Sequence, residues 1–380
     1  MCKLYLFNPE SDLALGNGNE NYDPPASALK MAEDLALLPA WYADKGSKVL
    51  IPTAHESYFS ELKGQGFLQD ILSSTHSSFP LDELSQVCPW GWNPRLIKQL
   101  GLLGISSHLL PNKEEMNRIR ELSRRSLAVK LLKELNERGE YCGASIELRT
   151  EQEVEGFVTS QEKCVLKAPW SGSGKGLFWC RGEYTYFIDR WSKRILKAQG
   201  GIVGEPLYNK VKDFAMEFRT NDGGRVDFVG YSLFETDSHG TYKGNLLVSD
   251  KEIESQLSIY VSQEQLHKLK LELVDKLSAL LGTAYRGYLG VDMMICECEI
   301  ASKFCIHPCV EINLRMNMGI VAHNIHERYG RTGRFVIDYF PNPTDLLKDH
   351  QERMQSSFQT GGYLSLTAVN ENTNYRASIY

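Results

Sequence analysis

Hydrophobic and polar positions over the first 112 residues follow the pattern of a β-α-β unit. Residues 3–7 and 47–51 are apolar enough for two strands, and apolar residues recur at helical spacing over 27–42 between them. The polar, turn-rich segment 8–19 follows the first strand, where a parallel sheet presents its ligand-binding loops, although such a segment is also typical of a surface loop. The pattern predicts an N-terminal α/β lobe of the Rossmann-like type.

A break in the pattern separates this lobe from the next helix. Leu109-Leu110-Pro111 closes the lobe, and Asn112, with a glutamate three residues later, has the pattern of a capping box. The helical pattern then runs to about Arg138-Gly139. We therefore predict a first domain over residues 1–112, a second region over 113–340, and a C-terminal tail over 341–380 that packs on the core.

The second region changes from residue 163 onwards to short strands separated by turns. Ser262 caps a long helix that stops at Gly282. The last two strands of this region are predicted to form a hairpin. The predicted strands are 164–168, 177–181, 201–203, 214–219, 225–234, 290–298 and 304–313, with one strand-like piece in the tail at 363–369.

Composition excludes several classes of protein. A chain of 380 residues is long enough for two or three lobes, and its net charge of −6 offers no basic surface for nucleic acid. No apolar stretch is long enough for a membrane span or a signal peptide. Nine cysteines, an odd number, favour a reducing compartment over a disulfide framework. We therefore expect a cytoplasmic protein with no nucleic-acid or membrane partner.

One loop has the composition of a phosphate-binding turn. Lys167 lies at the end of a predicted strand, and residues 171–176 form a glycine and serine loop before the next strand. Glycines let backbone N–H groups approach phosphate oxygens, and the lysine adds a point charge. The loop is not a Walker P-loop, because Lys175 is followed by Gly176 and then by a strand. It is not a protein-kinase loop either, because Lys167 precedes the glycines. By itself, such a hairpin is equally typical of a flexible turn.

A second motif follows an apolar strand. Glu205 and Pro206 come directly after the strand 201–203, at a point where a linker between lobes can present polar groups to an adenine edge. Asp213, a few residues later, could accept hydrogen bonds from ribose hydroxyls. Each of these residues taken alone is at least as typical of a solvated turn.

The predicted hairpin at the end of the second region carries acidic residues. Glu311 and Asn313 share one face because side chains alternate along a strand, and strand pairing brings Asp292 across from Glu311. Magnesium prefers such hard oxygen ligands, although two acids on an exposed hairpin are common. Arg315 falls on the same side and could clamp a carboxylate or a phosphoryl group.

The order of these motifs resembles the ATP-grasp superfamily over about residues 113–335. The resemblance implies that ATP lies between two α+β lobes, a lid subdomain of about 140–204 and a magnesium-binding subdomain of about 205–340. The N-terminal lobe resembles the domain that precedes them in the carboxylate-amine ligase branch. The implied site residues are Lys167 and Arg315 for the chemistry; Lys167, Ser171, Gly172, Ser173, Gly174, Lys175 and Arg124 or Arg125 for the phosphates; Glu205, Leu207 through its backbone and Asp213 for adenosine; and Asp292, Glu311 and Asn313 for the metal.

The resemblance implies an ADP-forming ligase that uses ATP and Mg2+, with Mn2+ as an alternative, to activate a carboxylate as an acyl phosphate for an amine. Its partners would be small-molecule carboxylate and amine substrates, and an oligomer is compatible with the pattern. A small-molecule kinase of ATP-grasp-like fold and a non-catalytic nucleotide-binding protein remain the alternatives. Segments 8–19 and 237–244 are candidates for the substrate wall. We expect Lys167 and Glu311 to face solvent in a cleft.

The acidic hairpin also carries a cluster of cysteines and a histidine. With Asp292 opposite Glu311, a regular register would place Cys296 opposite His307 and Cys298 opposite Cys305. Three thiols and an imidazole could bind zinc, but four ligands spaced along a flat hairpin would be strained. Since free cysteine usually packs as a small apolar residue, we predict reduced, buried thiols without a structural metal.

Overall fold

The described part of the chain forms four β-sheets with helices packed against them. The structure is a computed structural model, and it describes residues 2–76, 78, 81–172, 176–237, 240–298, 303–360 and 362–380. Within these ranges, no helix is both long and apolar enough to cross a membrane.

The N-terminal sheet is parallel, as the β-α-β pattern predicts. Its elements are β1 (Cys2–Leu6), α1 (Ser11–Asn17), α2 (Ala26–Asp34), β2 (Lys48–Leu50), α3 (Glu56–Gly64), β3 (Leu72–Ser74), β4 (Leu84–Pro89) and α4 (Pro94–Leu102). The strand order is β3-β2-β1-β4. The helix predicted over 27–42 is shorter and ends at Asp34, where Ala36 donates to Glu33 O, three residues back. The segment continues as a 3-10 turn at Leu38–Trp41, in which Pro39 has no N–H to donate to Leu35 O.

The second sheet is antiparallel and has the strand order β5-β8-β6-β7. Its elements are α5 (Lys113–Leu122), α6 (Arg125–Leu135), β5 (Ile146–Leu148), α7 (Glu151–Ser160), β6 (Cys164–Lys167), β7 (Leu177–Cys180), α8 (Tyr186–Gln199) and β8 (Ile202–Pro206). The single helix predicted from Asn112 to about Arg138 is two helices. They separate at Arg124, which takes an extended conformation after the Ser123 hydroxyl donates back to Ile119 O at 2.7 Å.

The remaining elements form two further sheets. They are β9 (Lys210–Thr220), β10 (Val226–Ser232), β11 (Phe234–Thr236), β12 (Tyr242–Leu247), α9 (Asp250–Leu257), α10 (Gln263–Leu281), β13 (Gly287–Glu297), β14 (Phe304–Asn313), α11 (Met318–Tyr329), β15 (Gly333–Tyr339), α12 (Pro343–Thr360), β16 (Leu364–Ser365) and β17 (Tyr375–Ile379). The third sheet has the order β10-β9-β13-β14 and the fourth β11-β12-β15-β17-β16.

The third sheet has one apolar and one polar face. Along β9, Phe214, Met216 and Phe218 are fully buried in the core that includes the apolar face of α10. The alternate residues, including Asp213 and Glu217, therefore lie on the opposite face. This alternation gathers polar side chains on one face of an otherwise apolar layer.

The C-terminal segment is more regular than the sequence pattern predicts. Residues 343–360 form helix α12, which the pattern did not reveal, and the predicted strand at 363–369 is only the two-residue β16. The last strand, β17, pairs with β15 in the middle of the fourth sheet. Its polar residue Arg376 is fully buried, which explains why the strand was missed as part of a polar tail.

Candidate active site

The three predicted metal ligands lie side by side on strands β13 and β14. Asp292 pairs directly with Glu311, so the predicted register at this position is confirmed. Asn313, two residues further along, donates from Nδ2 to Asp292 Oδ2 over 2.9 Å. Two carboxylates and a carboxamide therefore converge on one face of the hairpin, which is a set of ligands that suits a hard divalent cation.

The electrostatics of Asp292 favour a cation at this place. Burial, followed by the charge of Glu311, raises the pKa of Asp292 to about 7. The hydrogen bond from Asn313 and the charge of Arg315 act in the opposite direction but do not outweigh burial. Because the charged carboxylate is destabilised by its surroundings, positive charge beside Asp292 and Glu311 would be stabilising.

Helix α6 is preceded and begun by two arginines that have different partners. Arg125 donates from Nη2 to Glu311 Oε1 over 2.7 Å and from Nη1 to Ser171 Oγ over 2.6 Å. Arg124 instead forms an ion pair with Glu147 at 2.9 Å. The structure therefore favours Arg125 over Arg124 as the basic residue next to the glycine-rich loop and the acidic hairpin.

Lys167 and Glu205, predicted to contact phosphate and adenine, form an ion pair with each other. Lys167 Nζ lies 2.5 Å from Glu205 Oε2, and both side chains are more than nine-tenths buried. They project from the neighbouring strands β6 and β8. The expectation that Lys167 faces solvent is therefore wrong. Pairing the two opposite charges reduces the cost of burying either one, so neither needs water in this arrangement.

The two other residues predicted to contact adenosine are also engaged by neighbours. The Leu207 backbone N–H donates to Lys163 O over 3.0 Å. The Asp213 carboxylate accepts from Lys210 Nζ at 2.5 Å and from Thr236 Oγ1 at 2.8 Å. The structure thus places Leu207 at the end of the second sheet and Asp213 on the polar face of the third.

The glycine-rich loop joins β6 and β7 as an antiparallel hairpin. Ser171 binds Arg125, and Gly172 lies against the N-terminal lobe: a Cβ there would come within 2.5 Å of Asp12 Oδ2. A side chain at position 172 would therefore require the Asp12 carboxylate to move. The predicted phosphate-binding residues Ser173, Gly174 and Lys175 lie outside the described residues.

Arg315 links the acidic hairpin to the N-terminal lobe. Its Nε and Nη2 donate to the Asp12 carboxylate at 2.7 to 3.0 Å, and its Nη1 donates to Met316 O at 2.9 Å. A guanidinium has five N–H donors, so three of them are used and two remain for a ligand. Asp12 lies on the short helix α1, inside the segment predicted as one part of the substrate wall.

A cavity of about 190 Å³ is lined by the three predicted metal ligands together with Arg315, Asp12 and Gly172, whereas Lys167, Glu205, Arg125 and Asp213 are not among its lining residues. Asp292, Glu311 and Asn313, here called the metal set, line one part of it together with Arg315, and strands β10 to β12 line the other. Both segments predicted as substrate walls contribute to it, the first through Pro9 and Asp12 and the second through Gly240 and Tyr242. The cavity therefore lies where the N-terminal lobe, the glycine-rich hairpin and the two C-terminal sheets meet.

Comparison with known proteins was informative at the level of structure. No protein-family model and no curated protein sequence matches the chain. The biotin carboxylase domain of Hydrogenobacter thermophilus 2-oxoglutarate carboxylase, solved with MgADP, ADP and bicarbonate, superposes with a TM-score of 0.52 and 11% identity over 100% of this chain and 86% of that one. N5-carboxyaminoimidazole ribonucleotide synthetase from Thermus thermophilus superposes with a TM-score of 0.50 and 12% identity over 100% of this chain and 93% of that one. Pyruvate carboxylase from Rhizobium etli superposes with a TM-score of 0.51 and 13% identity over 90% of this chain and 31% of that one.

These structures share one architecture with this chain. The chain has the ATP-grasp fold. The fold class predicted from the order of the motifs is thereby confirmed, with a parallel N-terminal sheet followed by antiparallel sheets. In this ATP-grasp fold, the second sheet carries Lys167 and Glu205, and the third carries Asp292, Glu311 and Asn313.

One acidic residue at the centre of the ATP-grasp fold is not among the predicted site residues. Glu217 lies on the polar face of β9, pairs with Gly290 of β13 and lines the same cavity as the metal set. The sequence does indicate which way this side chain points. Glu217 lies between Met216 and Phe218 on a strand, so it must face away from the apolar core. Nothing in that pattern indicates that the opposite face is itself enclosed.

The cysteine-rich end of the acidic hairpin is paired differently from the prediction. Between Asp292 and Met294 the register shifts, so that Met294 faces His307 and Cys296 faces Cys305. Pro308 lies within the shift, where its missing N–H interrupts the ladder. The predicted pairs of Cys296 with His307 and of Cys298 with Cys305 are therefore wrong. Within the described ranges, no three histidine, cysteine or acidic side chains are arranged to hold a metal ion.

Proposed function

We propose that this protein is an ATP-dependent and Mg2+-dependent ligase that activates a carboxylate as an acyl phosphate and passes the acyl group to an amine, forming ADP. The observation that carries the proposal is the convergence of Asp292, Glu311 and Asn313 on one cavity with Arg315 in an ATP-grasp fold. This arrangement supplies acidic oxygens for a metal and a guanidinium for an anion at the same place.

The residues of the acidic hairpin fit a divalent metal. The two paired carboxylates and the Asn313 side chain offer oxygen ligands, and the raised pKa of Asp292 has burial and Glu311 as its causes, both of which a cation would offset. Mg2+ held there would supply positive charge to the phosphate oxygens of ATP. The biotin carboxylase domain with MgADP offers a precedent in a related fold.

ATP binding would use residues that are now paired with each other. Lys167 would exchange Glu205 for phosphate oxygens, and Glu205 would then be free to accept from the exocyclic amine of adenine. Arg125, which already contacts the Ser171 hydroxyl, would add a second positive charge beside the glycine-rich loop. We assign the same loop, 171–176, the role of a lid that excludes water from a hydrolysable acyl phosphate.

The substrate carboxylate would lie at Arg315. Two N–H donors of this guanidinium are left after its contacts with Asp12 and Met316, and a carboxylate can accept from both. Positive charge from Arg315 would stabilise the transferring phosphoryl group at the same time. We also propose that the domains divide at residue 112 and near residues 204 and 340, with residues 140–204 as the lid subdomain.

The test is ADP release from Mg-ATP with a panel of carboxylates, measured with and without primary amines. We expect ADP to form only when both substrate classes are present. ADP formation without an amine, together with a stable phosphorylated product, would instead indicate a small-molecule kinase. ATP binding without ADP formation under any condition would indicate a non-catalytic nucleotide-binding protein.

A further inference from the structure

The metal set leaves one buried acid in the cavity unexplained. Glu217 is 1% exposed at the centre of β9, and its Oε2 accepts a hydrogen bond from Asn317 Nδ2 at 2.8 Å. No ion pair involving Glu217 is found among the described residues. A carboxylate that is buried this deeply ordinarily has a basic partner. Its position therefore indicates a binding site for a positively charged group that the chain itself does not supply.

Two glycines make room for this carboxylate. A Cβ at Gly290 would come within 2.5 Å of Glu217 Oε2, and a Cβ at Gly319 within 2.1 Å of Oε1. Neither glycine has an unusual backbone conformation. A side chain is disfavoured there because it would contact Glu217 and its neighbours. The sequence therefore accommodates an acid at position 217 through two separate elements, β13 and the start of α11.

The charges that line the cavity do not balance. Its acidic side chains are Asp12, Glu217, Asp292 and Glu311, and its basic side chain is Arg315. Arg315 is bound to Asp12, Arg125 pairs with Glu311 from outside the cavity lining, and a divalent metal on the hairpin would offset Asp292. Glu217 would still lack a counterion. Burial raises the pKa of Glu217 to about 8, so without a counterion this carboxyl keeps its proton at neutral pH, and a bound cation would favour its charged form.

The wall around Glu217 is polar but neutral. Asn245 donates from Nδ2 to Ser232 Oγ at 2.6 Å and accepts from the Tyr242 hydroxyl at 2.5 Å. Ser232 Oγ lies on the same side as Glu217 Oε1, since both crowd the Cβ position of Gly319. Carboxylate, hydroxyl and carboxamide groups together offer hydrogen-bond acceptors to a group with several N–H donors.

We propose that this end of the cavity, the Glu217 pocket (Glu217, Ser232, Tyr242, Asn245 and Asn317), binds the primary ammonium group of the acceptor substrate, with Glu217 as its counterion. The proposal rests on the proposed ligase function and specifies its second substrate as an amine that binds in its cationic form. Before its nitrogen attacks the acyl phosphate, the ammonium group gives up one proton to the Glu217 carboxylate, and phosphate leaves as the new C–N bond forms. An ammonium ion supplies the missing positive charge and three N–H donors, which an alcohol or a carboxylate cannot do.

The test is a titration of the full chain with n-propylammonium chloride, in the presence of Mg2+ and a non-hydrolysable ATP analogue. 1-Propanol is the neutral isostere, and tetramethylammonium chloride keeps the ionic strength constant and serves as a cation without N–H groups. We expect saturable binding of n-propylammonium only, by calorimetry and by thermal shift. Equal binding of 1-propanol or of tetramethylammonium would overturn the proposal.

Two variants sharpen the result. Glu217→Gln keeps the shape and the Asn317 hydrogen bond but removes the charge, and we expect at least about tenfold weaker n-propylammonium binding, about 1.4 kcal/mol. Glu264→Gln, on the exposed face of α10, is the matched control and should bind as the wild type does. Unchanged affinity in Glu217→Gln would contradict the proposal. If that variant fails to fold, the comparison of the ammonium ion with its isosteres on the wild type still decides.

The outcomes separate this inference from the proposed function. Ammonium binding that depends on Glu217, without any response to Mg-nucleotide or any ADP formation, would remove the ligase proposal and keep the pocket. Amine-dependent ADP formation that is equal in Glu217→Gln and wild type would keep the ligase and remove the pocket.

Discussion

Two buried clusters of charge in this protein are built in opposite ways. In the fourth sheet, Arg376 is fully buried and lies 2.7 Å from both Asp338 and Asp349. In the cavity, Glu217 is buried and Asp292 is partly buried, and neither has a basic side chain at ion-pair distance among the described residues. The first cluster contains its own counterions, whereas the second has more acidic than basic side chains.

The pKa values of acids in the two clusters are shifted in opposite directions. Burial alone would raise the pKa of Asp349, but hydrogen bonds from Arg353 and Arg376 outweigh it and hold that pKa below its ordinary value. Burial and the charge of Glu311 raise the pKa of Asp292 to about 7. The acids of the first cluster are paired within the chain and stabilise the fold, whereas acids left unpaired in a cavity indicate a ligand of opposite charge.

The largest expected effect concerns a paired charge in the site. Lys167→Met should lower the free energy of unfolding by about 3–5 kcal/mol, because it leaves Glu205 buried without its partner. Chemical denaturation measures this loss. Adding Glu205→Gln in the same chain should recover most of it, since the unpaired charge is then removed.

The control for this variant is Lys163→Met, on a lysine whose side chain is 57% exposed. We expect it to change stability by less than about 1 kcal/mol. A Lys167→Met protein as stable as the control would mean that the buried pair with Glu205 does not form.

The next effect concerns the metal set. Glu311→Gln should lower amine-dependent ADP formation by about 100-fold or more, because it removes a charged metal ligand and also the partner of Arg125. Steady-state ADP release, compared with the exposed variant Glu264→Gln, measures the loss. Near-wild-type turnover in Glu311→Gln would refute the assignment of the acidic hairpin.

The two clusters should respond to pH with opposite signs. The folded protein binds a proton at Asp292 more tightly than the unfolded chain, with a pKa of about 7 against 3.8. Stability should therefore fall as pH rises between these values, by about 1.4 kcal/mol per unit for this one group. Asp349, whose folded pKa is lowered, contributes stability above 3.8 that is lost as pH falls through its folded pKa.

Urea denaturation at pH 5, 6, 7 and 8 measures the combined slope, to which Glu217, with its pKa raised to about 8, contributes in the same direction as Asp292. Asp292→Asn should reduce the slope, and saturating Mg2+ should reduce it in the wild type as well. The same slope in Asp292→Asn and wild type would mean that another group is responsible.

The smallest expected effect is stabilisation by the nucleotide. At an ATP concentration ten times its Kd, Mg-ATP should raise the free energy of unfolding by about 1.4 kcal/mol, since it binds only the folded protein. The measurement is a thermal shift with Mg2+ alone as the reference. Equal shifts with Mg2+ and with Mg-ATP would show that the site does not bind ATP.

Sequence reasoning was most successful for local elements and for ordered motifs. Strands such as 304–313 and the helix after Ser262 follow directly from alternation, helical spacing and capping residues. It failed where distant residues change the meaning of a local pattern. The polar residue Arg376 marks β17 as exposed until Asp338 and Asp349 are known to surround it.

The sequence by itself determined that Asp292 faces Glu311 and that Asn313 joins them, because strand alternation and antiparallel pairing are local rules. Only the tertiary structure decided that Arg125 rather than Arg124 reaches the hairpin, since that depends on how helix α6 is oriented against β14. It also decided that Glu217 lies in an enclosed cavity. The cavity is enclosed by the N-terminal lobe, the glycine-rich hairpin and two C-terminal sheets, which are far apart in the chain, so no local sequence pattern can show that they meet around Glu217.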